Sequence, residues 1–120
     1  MTVNPPRPLA ADLAAAVAAH VPTLAGVAHL APGWRDLIAG LPAPAILRHP
    51  DSHRASGVRV TVRGPQVEVD VALVIAWPHQ ARAVCETTQT EVATLITRLA
   101  DTDSCQVRVA VRDIHIDTTP

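Results

Sequence analysis

Histidine and cysteine side chains are the groups in this chain of 120 residues that could bind a metal ion or act as a nucleophile. His49 and His53 are four residues apart, the spacing of two metal ligands on one helix face, and Asp51 lies between them. Pro50 disfavours the helix that would align the two imidazoles, and no further ligand is evident nearby. We therefore predict a solvated loop here, with no metal and no cofactor.

The spacing of the other reactive groups does not indicate catalysis. Cys85 and His79 could form a nucleophile and a base, but six residues correspond to about 600° of helical rotation and place them on different sides. Asp101 and Asp103 lack the further ligands and the central glycine of a calcium loop, so we interpret them as turn residues. The five scattered glycines form no phosphate-binding loop. These patterns predict a protein that is not an enzyme.

The composition argues against a nucleic-acid partner. The net charge is −1, and aromatic residues, which could stack on bases, make up 2% of the chain. A small RNA-binding α/β module remains the alternative function, because compact domains with helices on a sheet often bind RNA. Cys85 and Cys105 are interpreted as small buried residues, with a disulfide or a ligand pair as the alternative.

The sequence also bears on location and domain organisation. It contains no run of about 18 apolar residues and no basic segment followed by an apolar stretch and a cleavage site. We therefore expect a cytoplasmic protein without direct membrane insertion. Three prolines predict a flexible N-terminal arm over residues 1–8, and residues 9–120 are expected to form a single domain.

The elements that would position any site are organised around residues 67–77. Apolar side chains at every second position predict a strand with one buried face, formed by Val67, Val69, Val71, Leu73 and Ile75. Trp77 and Pro78 end the alternation, because the residue before a proline is restricted and proline cannot donate to a sheet. This strand must be covered on its apolar face.

The preceding residues are predicted to form a hairpin with this strand. Residues 58–63 alternate in the same way, and Gly64 and Pro65 predict a turn of two residues. That turn places Arg59 opposite Asp70, so the register and the charges agree.

Two helices are predicted to cover the apolar face. Residues 9–20 carry apolar side chains at every fourth position before Pro22, and residues 80–99 carry a wider apolar face at helical spacing. The two periodicities predict that Leu95 of the long helix and Val71 of the central strand belong to one core.

The remaining segments are assigned to a loop and a last strand. Residues 23–57 are predicted to be loop apart from one or two helical turns at 34–39, because prolines and glycines interrupt every pattern. Residues 106–117 alternate with a change of phase, which predicts a bulge near Arg112 and Asp113. One helical crossover makes this strand parallel to the central one. The predicted fold is α+β and two-layered, a three-stranded mixed sheet with both helices on one face.

Several of these segments resemble the alkaline shock protein family of envelope stress response proteins. They are GVRV at residues 57–60, VEVDVALVIAW at 67–77, the helical positions Val84, Gln89 and Val92, and VRVAVRDI at 107–114. The resemblance covers residues 57–117, and residues 17–32 match the N-terminal half of the family. Pro78 stands where the family commonly has a glycine, and residues 101–104 lack the usual glycine.

The resemblance implies a non-enzymatic interaction or scaffold protein of the bacterial envelope stress response. It implies self-association in the cytoplasm and attachment to the inner face of the cell membrane through a small membrane-anchored protein partner. The family has no catalytic residues to transfer to this chain.

A partner-binding surface is predicted on the outer face of the central strand. Glu68 and Asp70 on that face are followed by small apolar residues, which would form an aliphatic patch flanked by arginines of the last strand. Coverage by the N-terminal helix or the proline-rich loop is the alternative. The predicted partner-binding residues are Ala72, Val74, Ala76, Trp77, Arg108, Ala110 and Arg112.

Overall fold

The computed structural model describes residues 9–31 and 52–116. Helix α1 spans Ala10–His20 and is followed by a 3-10 turn over Val21–Thr23. The strands are β1 Val27–Leu30, β2 Ser52–Ala55, β3 Val58–Arg63, β4 Gln66–Ala76 and β5 Ser104–His115, and helix α2, Ala81–Ala100, connects β4 to β5. The predicted arm at 1–8, the predicted helical turns at 34–39 and His49 lie outside the described residues.

The α+β class is confirmed, but the described sheet has five strands, so the predicted number of three is wrong. Strand β4 is central, as predicted. Strand β5 pairs with it in parallel along one edge, so β3 and β1 share the other edge, where both are antiparallel to β4. Strand β2 extends the sheet beyond β3. The sheet is therefore mixed, with one parallel pairing.

The two additional strands lie in the segment that was predicted to be loop. Strands β1 and β2 have four residues each, and neither shows the alternation that identified the longer strands. Each forms a strand by pairing with the edge of a longer strand. Strand β1 pairs with β4, and strand β2 pairs with β3. The prediction of loop across residues 23–57 is therefore wrong at these two places.

The hairpin and the bulge form where the sequence predicts them. Arg59 is opposite Asp70, and Arg63 is opposite Gln66, which leaves a two-residue turn. On the other side of β4, Leu73 is opposite Val111 and Val74 is opposite Asp113. Arg112 is thus the additional residue of the bulge in β5, as predicted.

Both helices pack on the face of the sheet that carries the alternating valines of β4. The fully buried members of this core include Leu13 and Val17 of α1, Val92 and Ile96 of α2, and Val67, Val69, Leu73 and Ile75 of β4. The buried stripe of α2 follows a spacing of four residues through Val84, Thr88, Val92 and Ile96. Val71 is buried as predicted, whereas Leu95 is only partly buried at the margin of the core.

Candidate functional site

The outer face is the face of the sheet turned away from both helices. Side chains alternate between the two faces of a strand, so β4 presents Asp70, Ala72 and Val74 on this face while its valines of the core point toward the helices. Strand β5 contributes Arg108 and Ala110 to the same face, because each is the register partner of an outer residue of β4. Four of the residues predicted to bind a partner, Ala72, Val74, Arg108 and Ala110, therefore share one face.

Four charged side chains cross the outer face in register, one from each of four neighbouring strands. Arg54 of β2 is opposite Arg59 of β3, Arg59 is opposite Asp70 of β4, and Asp70 is opposite Arg108 of β5. We call these four residues the arginine row. Because neighbouring strands are about 4.8 Å apart, the row extends over about 14 Å.

Asp70 lies between Arg59 and Arg108 in the arginine row and binds one of these arginines with each of its two carboxylate oxygens. Arg59 donates from Nε and Nη2 to Oδ2, at 3.0 and 2.5 Å, and Nε of Arg108 lies 3.0 Å from Oδ1. The side chains of Asp70 and Arg59 are about one third exposed, and that of Arg108 is 61% exposed. Exposed pairs of this kind stabilise a fold by at most about 1 kcal/mol each. Their main effect is to orient the two guanidinium groups.

A cavity of about 360 Å³ lies next to the arginine row. Its volume is within the range of about 300 to 1,000 Å³ that is typical of ligand sites. Small residues create the depression where the ends of β1 and β3 meet along β4. There the Ala72 N–H donates to the Gly57 carbonyl at 2.8 Å, and the Ala31 N–H donates to the Ala72 carbonyl at 2.9 Å. The four members of the arginine row, Ala110 and Arg112 also line the cavity.

The other end of the outer face is more closed. His29 of β1 is opposite Val74, and His115 of β5 is opposite Ala76. The two imidazole rings meet edge to face with their centroids 6.4 Å apart. Because β1 and β5 lie on either side of β4, the ring pair extends across β4 on the outer face. Val74, the register partner of His29, is only 7% exposed.

The predicted partner-binding residues thus fall into two groups. Ala72, Arg108, Ala110 and Arg112 line the cavity. Val74 and Ala76 lie beneath or beside the histidine pair, and Trp77 follows the end of β4 with 62% of its surface exposed. Their role in binding stays a prediction.

Sequence reasoning missed Arg54, Gly57 and Ala31 as cavity residues. Arg54 was assigned to a loop, and the cavity at Gly57 depends on two strands that end side by side. The register of the hairpin did place Arg59 opposite Asp70, and Arg108 was already among the arginines of the last strand predicted to flank this face.

The candidate metal and thiol groups are dispersed in the described structure. His53 lies on β2 and is exposed, and no cluster of three or more metal-binding side chains occurs within residues 9–31 and 52–116. Cys85 and Cys105 are free and partly buried, so neither forms the disulfide that was the alternative. Burial raises the pKa of both thiols above the ordinary value by desolvating the thiolate.

We expect both thiols to react more slowly with iodoacetamide in the native protein than in urea at pH 8. A raised pKa lowers the fraction of reactive thiolate, and partial burial restricts access to the sulfur. Mass spectrometry of the alkylated chain over time would measure the two rates, with Cys85→Ser and Cys105→Ser to assign them. Equal rates in the native and unfolded states would contradict the prediction.

Comparisons with known proteins identify one family. The family model of the alkaline shock protein 23 family, described by its cell envelope-related function, matches residues 12–116. No curated protein and no solved structure gives a significant match. Neither of the two described helices is sufficiently long and apolar to cross a membrane.

Proposed function

The chain belongs to the alkaline shock protein 23 family, whose function is related to the cell envelope, and from this premise we propose that it is a non-enzymatic interaction protein of the bacterial envelope stress response. It acts as a scaffold that self-associates in the cytoplasm. A small membrane-anchored protein holds it at the inner face of the cell membrane.

The cavity on the outer face is the observation that supports this proposal most directly. Its lining combines oriented guanidinium groups of the arginine row with the small apolar residues Ala72 and Ala110. Arginine is enriched at protein interfaces because its planar guanidinium group can form several hydrogen bonds and is only weakly hydrated, so its removal from water costs little. We therefore assign partner binding to this part of the outer face.

RNA binding is the second candidate function, and the arginine row is the observation that favours it. Phosphate groups could bind the same guanidinium groups. However, the chain as a whole carries a net charge of −1, whereas binding to nucleic acid is driven by a basic excess. Trp77, which could stack on a base, does not line the cavity. Protein binding is accordingly the preferred function.

Binding to isolated membranes tests the proposal. We expect the purified protein to co-sediment with membranes from the source cells, and to lose this binding when the membranes are first treated with a protease that is then removed. Proteolysis destroys a protein partner and leaves the lipids intact. Binding that survives proteolysis would contradict the proposal, as would binding that is lost only after ribonuclease treatment.

A steric variant tests whether the outer face is the surface used. Ala110 is exposed and lines the cavity, so Ala110→Trp should fill the cavity, preserve the fold and weaken membrane binding by at least about tenfold. Ala83→Trp, at an exposed position of α2, is the matched control and should bind like the unmodified protein. Equal binding by both variants would exclude this part of the outer face.

A further inference from the structure

Among the residues that the structure describes, the charge of the cavity lining is unbalanced. Four arginines line it, and among the described residues Asp70 is the only carboxylate that does so. Asp70 is already bound by Arg59 and Arg108, and Arg112 forms no ion pair within the described structure. Since the small residues Ala72 and Ala110 leave the cavity open, a ligand that enters it meets more positive than negative charge.

The guanidinium groups of Arg59 and Arg108 are held in place by Asp70 and can still donate to a further carboxylate. Arg59 directs both Nε and Nη2 to one oxygen of Asp70, and Arg108 directs Nε to the other. Each guanidinium group has five N–H donors, so donors remain after these contacts. Because Asp70 restrains the two side chains, a second anion would bind them at a lower cost in conformational entropy.

We infer that the cavity binds an acidic segment of the protein partner, with aspartate or glutamate carboxylates contacting Arg108, Arg112 and Arg59. The inference rests on the proposed function and specifies the chemistry of the partner. In an extended segment, side chains on one face repeat at about 7 Å, so alternate acidic residues can reach arginines in neighbouring parts of the cavity. Ala72 and Ala110 contact the aliphatic carbons of the acidic side chains.

A protein carboxylate fits these observations better than a nucleic acid. Asp70 shows that this set of arginines binds a carboxylate, in part through two donors on one group. The described lining has no aromatic ring on which a base could stack.

Calorimetry with synthetic peptides tests the inference. The probe is a short peptide of alternating glutamate and serine, and the control peptide replaces each glutamate with glutamine. We expect the glutamate peptide to bind and the glutamine peptide not to bind. Sodium chloride should weaken the binding, because the charges are partly exposed and therefore screened.

Charge-neutralising variants locate the binding on the outer face. Arg108→Gln and Arg112→Gln should each raise the Kd of the glutamate peptide by about tenfold, as expected for the loss of a hydrogen bond to a charged group. Both side chains are exposed, and Asp70 keeps its contacts with Arg59 when Arg108 is changed. Arg98→Gln on α2 removes the same charge at an exposed position outside the cavity and should leave the Kd unchanged.

Four results would overturn the inference. Equal binding of both peptides would show that carboxylates are not recognised, and an equal effect of Arg98→Gln would show that the attraction is not located in the cavity. Tighter binding of inorganic phosphate or of an oligouridylate would assign the cavity to a small anion or to RNA.

If the peptide fails to bind while Ala110→Trp still abolishes membrane binding, only the acidic partner is excluded and the proposed function stands.

Discussion

Replacement of Ile96 with alanine should lower the free energy of unfolding by about 3 to 4 kcal/mol. Ile96 lies in α2 and is completely buried against the sheet, so the shorter side chain removes apolar contacts and leaves a cavity. Urea denaturation followed by circular dichroism would measure this loss from the shift of the midpoint.

Leu99 and Leu95 of the same helix provide matched controls for this substitution. Leu99 is 40% exposed, so Leu99→Ala should cost less than about 1 kcal/mol. Leu95 is only partly buried, and Leu95→Ala should fall between the other two. A larger loss for Leu99→Ala than for Ile96→Ala would show that α2 is rotated relative to the described packing.

Replacement of Gly57 with alanine should lower the free energy of unfolding by about 2 to 4 kcal/mol. Gly57 has a φ of +88°, where an L-residue is strained, and it lies where the ends of β1 and β3 meet. An added Cβ would lie 2.9 Å from the carbonyl oxygen of Ala31 and 3.1 Å from that of Ala72. Both are backbone atoms, so the two strands would have to separate.

Gly64→Ala separates backbone strain from this steric contact. Gly64 also has a positive φ, of +57°, but an added Cβ would meet nothing within 4 Å. Its replacement should therefore cost only the backbone strain, about 1 kcal/mol. Thermal unfolding of the two variants under identical conditions would compare them. Equal destabilisation would mean that β1 and β3 do not approach each other as closely as described.

Gly57→Ala should also change the candidate site. Gly57 lines the cavity, and its carbonyl accepts the hydrogen bond from Ala72. Movement of this backbone alters the floor of the cavity without changing any charge of the arginine row. Weaker binding of the glutamate peptide to folded Gly57→Ala would therefore measure how far the shape of the cavity contributes to binding.

The elements that could be predicted from the sequence are those whose pattern is local. The alternation in β3, β4 and β5, the two-residue turn at Gly64, and the bulge at Arg112 all follow from spacing along one continuous stretch. The pairing of Arg59 with Asp70 follows from the same register. The family resemblance rests on these segments and is confirmed by the match over residues 12–116.

The sequence was less informative about the ends of the apolar stripes. The apolar spacing predicted for the helix over residues 9–20 begins at Leu9, yet Leu9 is 61% exposed and precedes the first turn of α1. Likewise, Leu95 and Ile96 are neighbours on the helical surface, and periodicity does not decide which of them faces the sheet. The crossing of α2 over β5 and β4 buries Ile96 completely and leaves Leu95 at the margin.

By itself, the sequence determined the α+β class, the register of the hairpin, the bulge and the family of this protein, because each depends on residue patterns that lie within continuous segments of the chain. Only the tertiary structure decided the strands β1 and β2, and with them the cavity. Both strands are too short to show a period of their own, and they form because longer neighbouring strands leave backbone N–H and C=O groups to pair. The arginine row shows the same dependence, since Arg54 joins Arg59, Asp70 and Arg108 only when four strands lie side by side.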